Sequence, residues 1–477
     1  MTDERLLAFI TDTRKHELVV EHLISKGVPL SQANLFFQPE TWEQLGEWIE
    51  NGVYHFSPTI EGYVDKKTGN GLTYEQASAR NFEDVRKIYM MTPIDRAVAH
   101  MVYLIYYGEF IDETDEHCVS YKKTIGTPKI IKALSREMNS RNWFDGWKLD
   151  IRKYFDSVSL PTIEKILKHM SKGSALDRIL WEMYHDDRVI INGDEVEKYK
   201  SLIQGCAFAC LMANLVLTDV DKAVRKLNVI YYRYSDDIIV LGKDADLALK
   251  LIEHMIKGKG LVIHPEKKQP IHGNDQWFEF LGFKLKGNKI TVAEKTLKNI
   301  CREVRRCTVN QIHNWKRPAT KTEVKRMIRD LQKYFYTAYA KDSKKFGMGS
   351  YLFGAVNVGH DINEIECYMK DCLRACYTGK VKGLYSIGSA TTRKDGSAKE
   401  YGITHGNGEG RKLAWLAGED VSQKQSCPVA ENRRKTQNDS FVGGDLLKEL
   451  GWISTVHMWK AYHNGKDVFD YEVMRMF

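Results

Sequence analysis

Two runs of β-branched and aromatic residues, separated by a short polar break, make up residues 229–241. Such runs predict the two strands of a β-hairpin. The break is Tyr234-Ser235-Asp236-Asp237, so the hairpin tip carries two adjacent carboxylates that repel each other. The pair becomes favourable when a divalent cation lies between it and a third carboxylate, and Mg²⁺ is a hard cation that prefers oxygen ligands. An exposed turn, in which the aspartates bond the backbone, is the alternative interpretation.

A third carboxylate stands earlier in the chain. Asp150 ends a short apolar strand pattern and precedes a tight turn that leads to Phe155. Between the two acidic sites lies Gln204-Gly205, followed by a helical pattern over about residues 208–222. This order of a strand with Asp, a Gln-Gly helix and a Tyr-x-Asp-Asp hairpin resembles the palm of a reverse transcriptase. The resemblance implies an α+β fold, the right-hand polymerase with fingers, palm and thumb, whose palm sheet is antiparallel.

The resemblance covers roughly residues 54–345 and predicts how the chain is divided. The predicted parts are an N-terminal helical extension (1–50), fingers (51–145), a palm with interleaved fingers elements (146–290), a basic helical thumb (291–345) and an appended C-terminal region (346–477). We expect the N-terminal extension either to pack on the core or to bind RNA. Whether the C-terminal region binds RNA is left open.

The predicted fingers carry a candidate for contact with nucleotide phosphates. The run from Arg86 to His100 is similar to the Arg-x-Ile…Asp-Arg-x-Val-x-His segment of bacterial reverse transcriptases. An incoming nucleotide brings a triphosphate, whose charge a fixed cation must neutralise as pyrophosphate leaves. Arg86 is our candidate for that cation. Further along, Asn192-Gly193 predicts a second hairpin.

The resemblance implies roles for residues around the three carboxylates. It assigns Asp150 and Asp236 as ligands of two Mg²⁺ ions, with Asp237 as a weaker ligand or a residue that fixes their geometry. The carbonyl of Ile151 would touch one ion. Phe155 would lie under the sugar of the incoming nucleotide, where a bulky ring excludes a 2′-hydroxyl and favours deoxynucleotides. A core aromatic is the alternative for Phe155.

Other matched positions imply contacts with substrate and primer. Gln204 would hydrogen-bond a nucleotide without distinguishing its base, and Gly205 would let the backbone approach a base pair. Lys267 is the candidate general acid for the leaving pyrophosphate, with Lys268 as the alternative because the register is uncertain by one. Gly282 matches the bend of the primer grip, where the backbone holds the primer end.

Basic residues greatly outnumber acidic ones over residues 291–345. Such a band predicts a surface that contacts the phosphate backbone of a nucleic acid. Lys298, Arg302, Arg305 and Arg306 are the predicted contacts in its first helix. A solvated helix face is the alternative, but a position beside a polymerase palm favours nucleic acid, bound without regard to sequence.

Hydrophobic patterning and cysteine usage indicate the cellular compartment of the protein. The 477 residues carry a net charge of +8, and no apolar run is long and uninterrupted enough to span a bilayer. The N-terminus has no basic segment followed by an apolar stretch, so we expect no signal peptide. Nine cysteines without C-x-x-C spacing fit a reducing compartment. We therefore predict a cytoplasmic protein that has no membrane partner.

The motifs as a set resemble bacterial reverse transcriptases related to retron, diversity-generating and group II intron enzymes. The resemblance implies an RNA-directed DNA polymerase, a nucleotidyltransferase that uses dNTPs and two Mg²⁺ ions to make cDNA. Retron-specific motifs are not evident, and the C-terminal part makes the chain longer than a minimal diversity-generating enzyme. By exclusion, the subgroup is the defence-associated "unknown group". Several of its members work with a structured noncoding RNA, which implies such a template here and a role against phage.

Two other functions remain open. The first is untemplated DNA synthesis, or synthesis primed on a protein hydroxyl. The second is an RNA-binding maturase or scaffold with an inactive palm. Three intact carboxylates argue against an inactive palm, because such a site has no reason to keep mutually repelling charges. Whether the chain forms a homo-oligomer is also open.

Overall fold

A computed structural model of the chain describes residues 3–66, 68–81, 84–122, 125–336, 347–379, 386–387, 403–404, 410–411, 447 and 449–464. The chain divides into two compact units. The first comprises residues 1–124 and 146–270, and the second comprises residues 125–145 and 271–477.

Nineteen α-helices are defined in the described residues. They are α1 (Glu4–Ile10), α2 (Thr13–Ser25), α3 (Leu30–Ala33), α4 (Pro39–Glu50), α5 (Tyr74–Ser78), α6 (Pro93–Phe110), α7 (Thr127–Arg141), α8 (Tyr154–Ser157), α9 (Leu160–Met170), α10 (Ala175–His185), α11 (Phe208–Val216), α12 (Thr218–Val224), α13 (Ala245–Lys257), α14 (Glu294–Cys307), α15 (Val309–Trp315), α16 (Lys321–Phe335), α17 (Met348–Ala355), α18 (Gly359–Thr378) and α19 (Thr455–His463). Short 3₁₀ helices occur at Asn34–Phe37, Ile111–Glu113 and Pro265–Lys267.

Fifteen strands accompany them in the described residues. They are β1 (Thr59–Asp65), β2 (Gly71–Leu72), β3 (Val85–Met90), β4 (Asp145–Asp150), β5 (Arg188–Ile191), β6 (Asp194–Glu197), β7 (Ile230–Tyr234), β8 (Asp237–Leu241), β9 (Gln269–His272), β10 (Phe278–Phe280), β11 (Phe283–Lys286), β12 (Lys289–Val292), β13 (Ser386–Ile387), β14 (Ile403–Thr404) and β15 (Gly410–Arg411). The sheet orders are β7-β8-β4-β9, β2-β1-β5-β6 with β3 paired to β1, β10-β11-β12 and β13-β14-β15.

The predicted α+β class is confirmed. Helices and mainly antiparallel sheets occur together, and the pairs β7–β8 and β4–β8 are antiparallel, as predicted for the palm sheet. The β1–β5 pair is parallel. The predicted Asn-Gly hairpin is also confirmed, because β5 and β6 pair with Ile191 opposite Asp194 and both loop residues have positive φ.

The hairpin β7–β8 forms because its strands can be buried almost completely. Ile238, Ile239, Val240 and Leu241 are each fully buried in β8. A strand covered on both faces has a continuous apolar run rather than alternation. Helix α13 packs against β8 and covers part of the sheet. Because the strands are buried, the carboxylates leave the core at the two-residue turn between β7 and β8.

The N-terminal helices contribute to the core of the first unit. Leu6, Trp42 and Ile49 belong to the same cluster of buried residues as the apolar face of α6. The Tyr54 hydroxyl donates to Asp95 Oδ1 at 2.7 Å and ties the end of this segment to α6. The segment therefore packs on the core.

The predicted helix over residues 208–222 is two helices, because Leu217 separates α11 from α12. The hydroxyl of Thr218 donates to the carbonyl of Asn214 at 3.1 Å. Such a bond from Thr to the preceding turn competes with the backbone ladder and favours a bend.

In the second unit, amphipathic helices pack with their apolar faces buried. In α14 the residues Leu297, Ile300 and Val304 are buried, while most of the basic side chains lie on the opposite face. Residues 337–345 of the predicted thumb and residues 388–402 and 412–446 of the predicted C-terminal region lie outside the described residues. None of the described helices is both long enough and apolar enough to cross a membrane.

Candidate active site

The first unit brings the three predicted carboxylates together at one edge of the sheet β7-β8-β4-β9. Asp150 ends β4 and lies opposite Asp237, the first residue of β8. Asp236 occupies the β7–β8 turn, where its carbonyl accepts a hydrogen bond from the Ile151 amide at 3.0 Å. The carboxylates thus come from two adjacent strands and the turn between β7 and β8.

The turn is held in an unusual backbone conformation. Ser235 has φ of +60° and is 3% exposed. A non-glycine residue adopts the left-handed region at some cost, and such residues cluster at functional sites. The Tyr121 hydroxyl lies 3.3 Å from Ser235 Oγ, to which it donates. The surrounding protein therefore fixes the turn that carries Asp236.

The local charges oppose full ionisation of the two turn carboxylates. Burial raises the pKa of Asp237 to about 6, the charges of Asp236 and Asp150 add to the rise, and Lys148 opposes it with Nζ 3.7 Å from Asp237 Oδ1. Burial also raises the pKa of Asp236, followed by repulsion from Asp150. Both effects disfavour negative charge, and a bound cation would relieve them.

The donor chemistry of the three carboxylates fits Mg²⁺, which takes oxygen ligands. Oδ1 of Asp237 is buried and has no hydrogen-bond partner among the described residues. Within the described part of the chain, however, no three His, Cys, Asp or Glu side chains converge closely enough to hold a metal ion. The residues thus fit the ion by type and charge, and their side chains would have to close around it.

Lys267, rather than Lys268, lies at the carboxylates. Lys267 Nζ is 2.8 Å from Asp150 Oδ2. Lys268 Nζ lies 2.8 Å from Glu253 Oε1 and 5.6 Å from the centre of the Trp147 ring. Consecutive lysines therefore have different environments, and only the first reaches the acidic cluster.

The strand β3 and the Gln-Gly loop lie against each other. Arg86 is exposed on β3, and its positive charge partly opposes the rise that burial causes in the pKa of Asp236. The amide of Tyr89, on the same strand, donates to the Gln204 carbonyl at 2.7 Å. Gly205 has φ of +114°, and a Cβ there would lie 2.9 Å from the Tyr89 carbonyl oxygen. Glycine is therefore required for this close approach.

Two further predicted residues flank Asp150 in sequence. Ile151 is 1% exposed, and its amide donates a hydrogen bond to the β7–β8 turn. Phe155 is half-buried, packs against the core of the first unit, and accepts a hydrogen bond at its carbonyl from Leu202. Its ring is thus partly a core residue and partly accessible.

In the second unit, Gly282 forms the turn between β10 and β11. Its φ is +81°, and a Cβ there would lie 2.5 Å from the Tyr351 hydroxyl oxygen. The Thr296 hydroxyl donates to its carbonyl at 3.0 Å. These contacts fix the bend that the sequence predicts at Gly282.

The four basic residues predicted to bind nucleic acid lie on α14. Lys298 and Arg306 form ion pairs with glutamates one turn away on the same helix. Arg302 is exposed, and Arg305 is half-buried and hydrogen-bonded to Tyr368. Arg302 Nη2 donates to Asn299 Oδ1 at 2.9 Å, so all four side chains have charged or polar partners within the second unit.

Two functional candidates were missed in the sequence. Arg233 and Asp221 are fully buried and ion-paired next to the β7–β8 turn. The sequence feature that could have identified them is Arg233, a single arginine within an otherwise apolar and aromatic strand. A charged residue is rarely buried in such a strand without a partner.

The chain is similar to known proteins over its middle part. Residues 81–285 match the protein family described as reverse transcriptase (RNA-dependent DNA polymerase). The match contains Asp150, Asp236 and Asp237. Residues 81–285, which make up less than half of the chain, are therefore similar to reverse transcriptases.

One curated relative is the group II intron-encoded protein LtrA of Lactococcus lactis subsp. cremoris, which is 20% identical over 223 residues. The alignment covers 46% of this chain, and the chain thus spans only 34% of the length of that relative. Among solved structures, telomerase from Candida albicans in complex with a fragment of telomeric RNA is 11% identical with a TM-score of 0.35, covering 59% of this chain and 51% of the telomerase. Sicinivirus 3Dpol RNA-dependent RNA polymerase is 9% identical with a TM-score of 0.37, covering 55% of this chain and 58% of that polymerase.

Proposed function

We propose that the protein is an RNA-directed DNA polymerase that adds deoxynucleotides to a primer by two-metal nucleotidyl transfer. The observation that carries the proposal is the meeting of Asp150, Asp236 and Asp237 at one sheet edge, with Lys267 beside them. That edge lies within the segment that matches the reverse transcriptase family.

In this proposal the three carboxylates hold two Mg²⁺ ions. Bound there, the ions would lower the pKa of the primer 3′-hydroxyl and balance charge on the triphosphate during in-line displacement. Asp150 and Asp236 would supply the main ligands. Oδ1 of Asp237, which is buried and has no hydrogen-bond partner among the described residues, would supply another oxygen. The carbonyl of Ile151 is a further candidate ligand, because its residue adjoins Asp150.

The remaining residues act on the nucleotide. Lys267 would leave Asp150 as the site closes and donate a proton to the departing pyrophosphate. Arg86 would neutralise the triphosphate, consistent with its electrostatic effect on Asp236. Phe155 would exclude a 2′-hydroxyl, and Gln204 and Gly205 would support the new base pair.

In the second unit, Gly282 would hold the primer end through its backbone. Lys298, Arg302, Arg305 and Arg306 would contact the phosphates of the growing duplex. Binding by such a surface weakens with added salt.

The proposed partners are a structured noncoding RNA as template and cDNA as product. The proposed role is bacterial defence against phage, and the proposed location is the cytoplasm. The support for the defence role is the exclusion of the other bacterial subgroups from the sequence motifs, and the support for the cytoplasm is the cysteine pattern.

The test is to purify the full chain with the nucleic acid it carries and sequence that material. dNTPs and Mg²⁺ are then supplied, with Asp236→Asn as the control. We expect cDNA complementary to one bound RNA, made only by the unaltered protein. DNA without a complement in the bound RNA would indicate untemplated synthesis. A specific RNA with no synthesis would indicate a scaffold.

A further inference from the structure

We infer that Arg233, held by Asp221, is a positioning residue that sets the conformation of the turn carrying Asp236. The inference rests on the proposed function, because it assigns the turn a role in holding metal. It concerns a pair of side chains that contact neither substrate nor metal. Its basis is the hydrogen-bond network beneath the turn.

The pair is completely removed from solvent. The side chains of Arg233 and Asp221 are both 0% exposed, with Arg233 Nη2 2.6 Å from Asp221 Oδ2 and Nε 2.7 Å from Oδ1. The contact is therefore the two-pronged arrangement in which the planar guanidinium matches a carboxylate. The Tyr231 hydroxyl also donates to Asp221 Oδ1, at 2.6 Å.

The rest of the guanidinium is directed at backbone. Nη1 of Arg233 donates to the Ser235 carbonyl at 3.2 Å, and Nη2 donates to the Asn214 carbonyl at 3.1 Å. Ser235 is the turn residue with positive φ. The arginine thus joins helix α11 to the peptide that precedes Asp236.

Stability alone does not account for such a pair. Two buried charges cost several kcal/mol each in desolvation, and apolar replacements of similar volume are often neutral or stabilising. A lysine could pair with Asp221 but could not donate in the several fixed directions of a guanidinium. The specific contribution of Arg233 is therefore geometric: it holds the Ser235 carbonyl in place.

The turn geometry matters because Asp236 lies in the turn, next to the strand pair in which Asp150 lies opposite Asp237. Partners that orient metal ligands change metal affinity or activity about 10–100-fold when altered. A second hydrogen bond restrains the same turn: the Ile151 amide donates to the Asp236 carbonyl at 3.0 Å. Arg233 restrains the residue before Asp236, and Ile151 restrains Asp236 itself.

The test compares Arg233→Lys with Tyr154→Phe in the full chain. Tyr154 is equally buried and donates to the Ala213 carbonyl at 2.6 Å, so its variant loses a buried hydrogen bond without touching the turn. Mn²⁺ binding to the free protein is measured by electron paramagnetic resonance, alongside thermal unfolding and nucleotide incorporation. We expect Arg233→Lys to weaken Mn²⁺ binding about 10-fold or more. Its kcat should fall while its KM for dNTP stays within about twofold.

Equal Mn²⁺ affinity in Arg233→Lys and the unaltered protein, with only a lower unfolding temperature, would overturn the inference. If Arg233→Lys does not fold, Tyr231→Phe takes its place, since it removes one partner of Asp221 and keeps the ion pair. We expect it to weaken Mn²⁺ binding about fivefold, and an unchanged affinity would again overturn the inference. Because the Mn²⁺ measurement needs no polymerisation, it separates failure of this inference from failure of the proposed function.

Discussion

Asp150 and Asp237 lie opposite each other across the antiparallel pair of β4 and β8. The same strand pairing brings Asp236 beside them, because the Ile151 amide bonds its carbonyl. Strand register, rather than side-chain flexibility, thus decides which carboxylates meet.

Asp236→Asn should reduce DNA synthesis by about 10³-fold or more, because residues that act as one catalytic unit fail together. Its fold should persist with an equal or higher unfolding temperature, since burial and repulsion from Asp150 disfavour the charge it removes. Asp156→Asn is the matched control, because Asp156, in α8, is an acid whose pKa is likewise raised by burial but which is not one of the three carboxylates of the candidate site. Primer extension and thermal unfolding measure both variants. Synthesis that survives in Asp236→Asn would refute the assignment of the site.

Lys267→Met should slow the single-turnover rate of incorporation about 10²-fold, the usual contribution of a positioned proton donor. Lys268→Met is the control, because its side chain pairs with Glu253 and only Lys267 contacts Asp150. The control loses a partly exposed ion pair worth about 1 kcal/mol or less. Rapid-quench kinetics compare the two. Equal slowing by both variants would show that general charge, and not proton donation by Lys267, is responsible.

Phe155→Val should admit ribonucleotides, raising the ratio of ribonucleotide to deoxynucleotide kcat/KM about 10–100-fold. The half-buried ring also packs on the core, so we expect a loss of stability of about 1–3 kcal/mol. Tyr154→Phe, one residue away, controls for disturbance of α8. Steady-state kinetics with dGTP and GTP provide the ratio. A stability loss with an unchanged ratio would make Phe155 a core residue only.

The fold and the candidate site could be predicted from the sequence to different extents. The β7–β8 hairpin and its carboxylates were predictable, because an apolar run on each side of a polar break is a local pattern. The opposing position of Asp150 was predictable only through the resemblance. The Arg233–Asp221 pair was not predictable, because the partner of a buried charge lies on another element and a single sequence does not identify it. The break at Leu217 depends similarly on a hydrogen bond that composition does not reveal.

Asp361, in the second unit, gives a prediction for stability against pH. Its side chain is 1% exposed, accepts a hydrogen bond from the Thr291 hydroxyl, and has Oδ1 buried without a partner among the described residues. Burial raises its pKa from 3.8 to about 7, the hydrogen bond from Thr291 opposes the rise, and the charge of Glu364 adds to it. Because the folded-state pKa is raised, the stabilising contribution is complete below pH 3.8 and is lost as the pH rises through about 7.

Asp361→Asn removes this titration and keeps an acceptor for Thr291. Its free energy of unfolding should match that of the unaltered protein near pH 4 and exceed it increasingly up to pH 7. Above pH 7 the advantage should level off at about 2–4 kcal/mol. Urea unfolding at several pH values measures the difference, and Thr291→Val, which removes the opposing hydrogen bond, should move the upper limit of the window to higher pH. A difference that does not change with pH would show that Asp361 is ionised in the folded protein throughout.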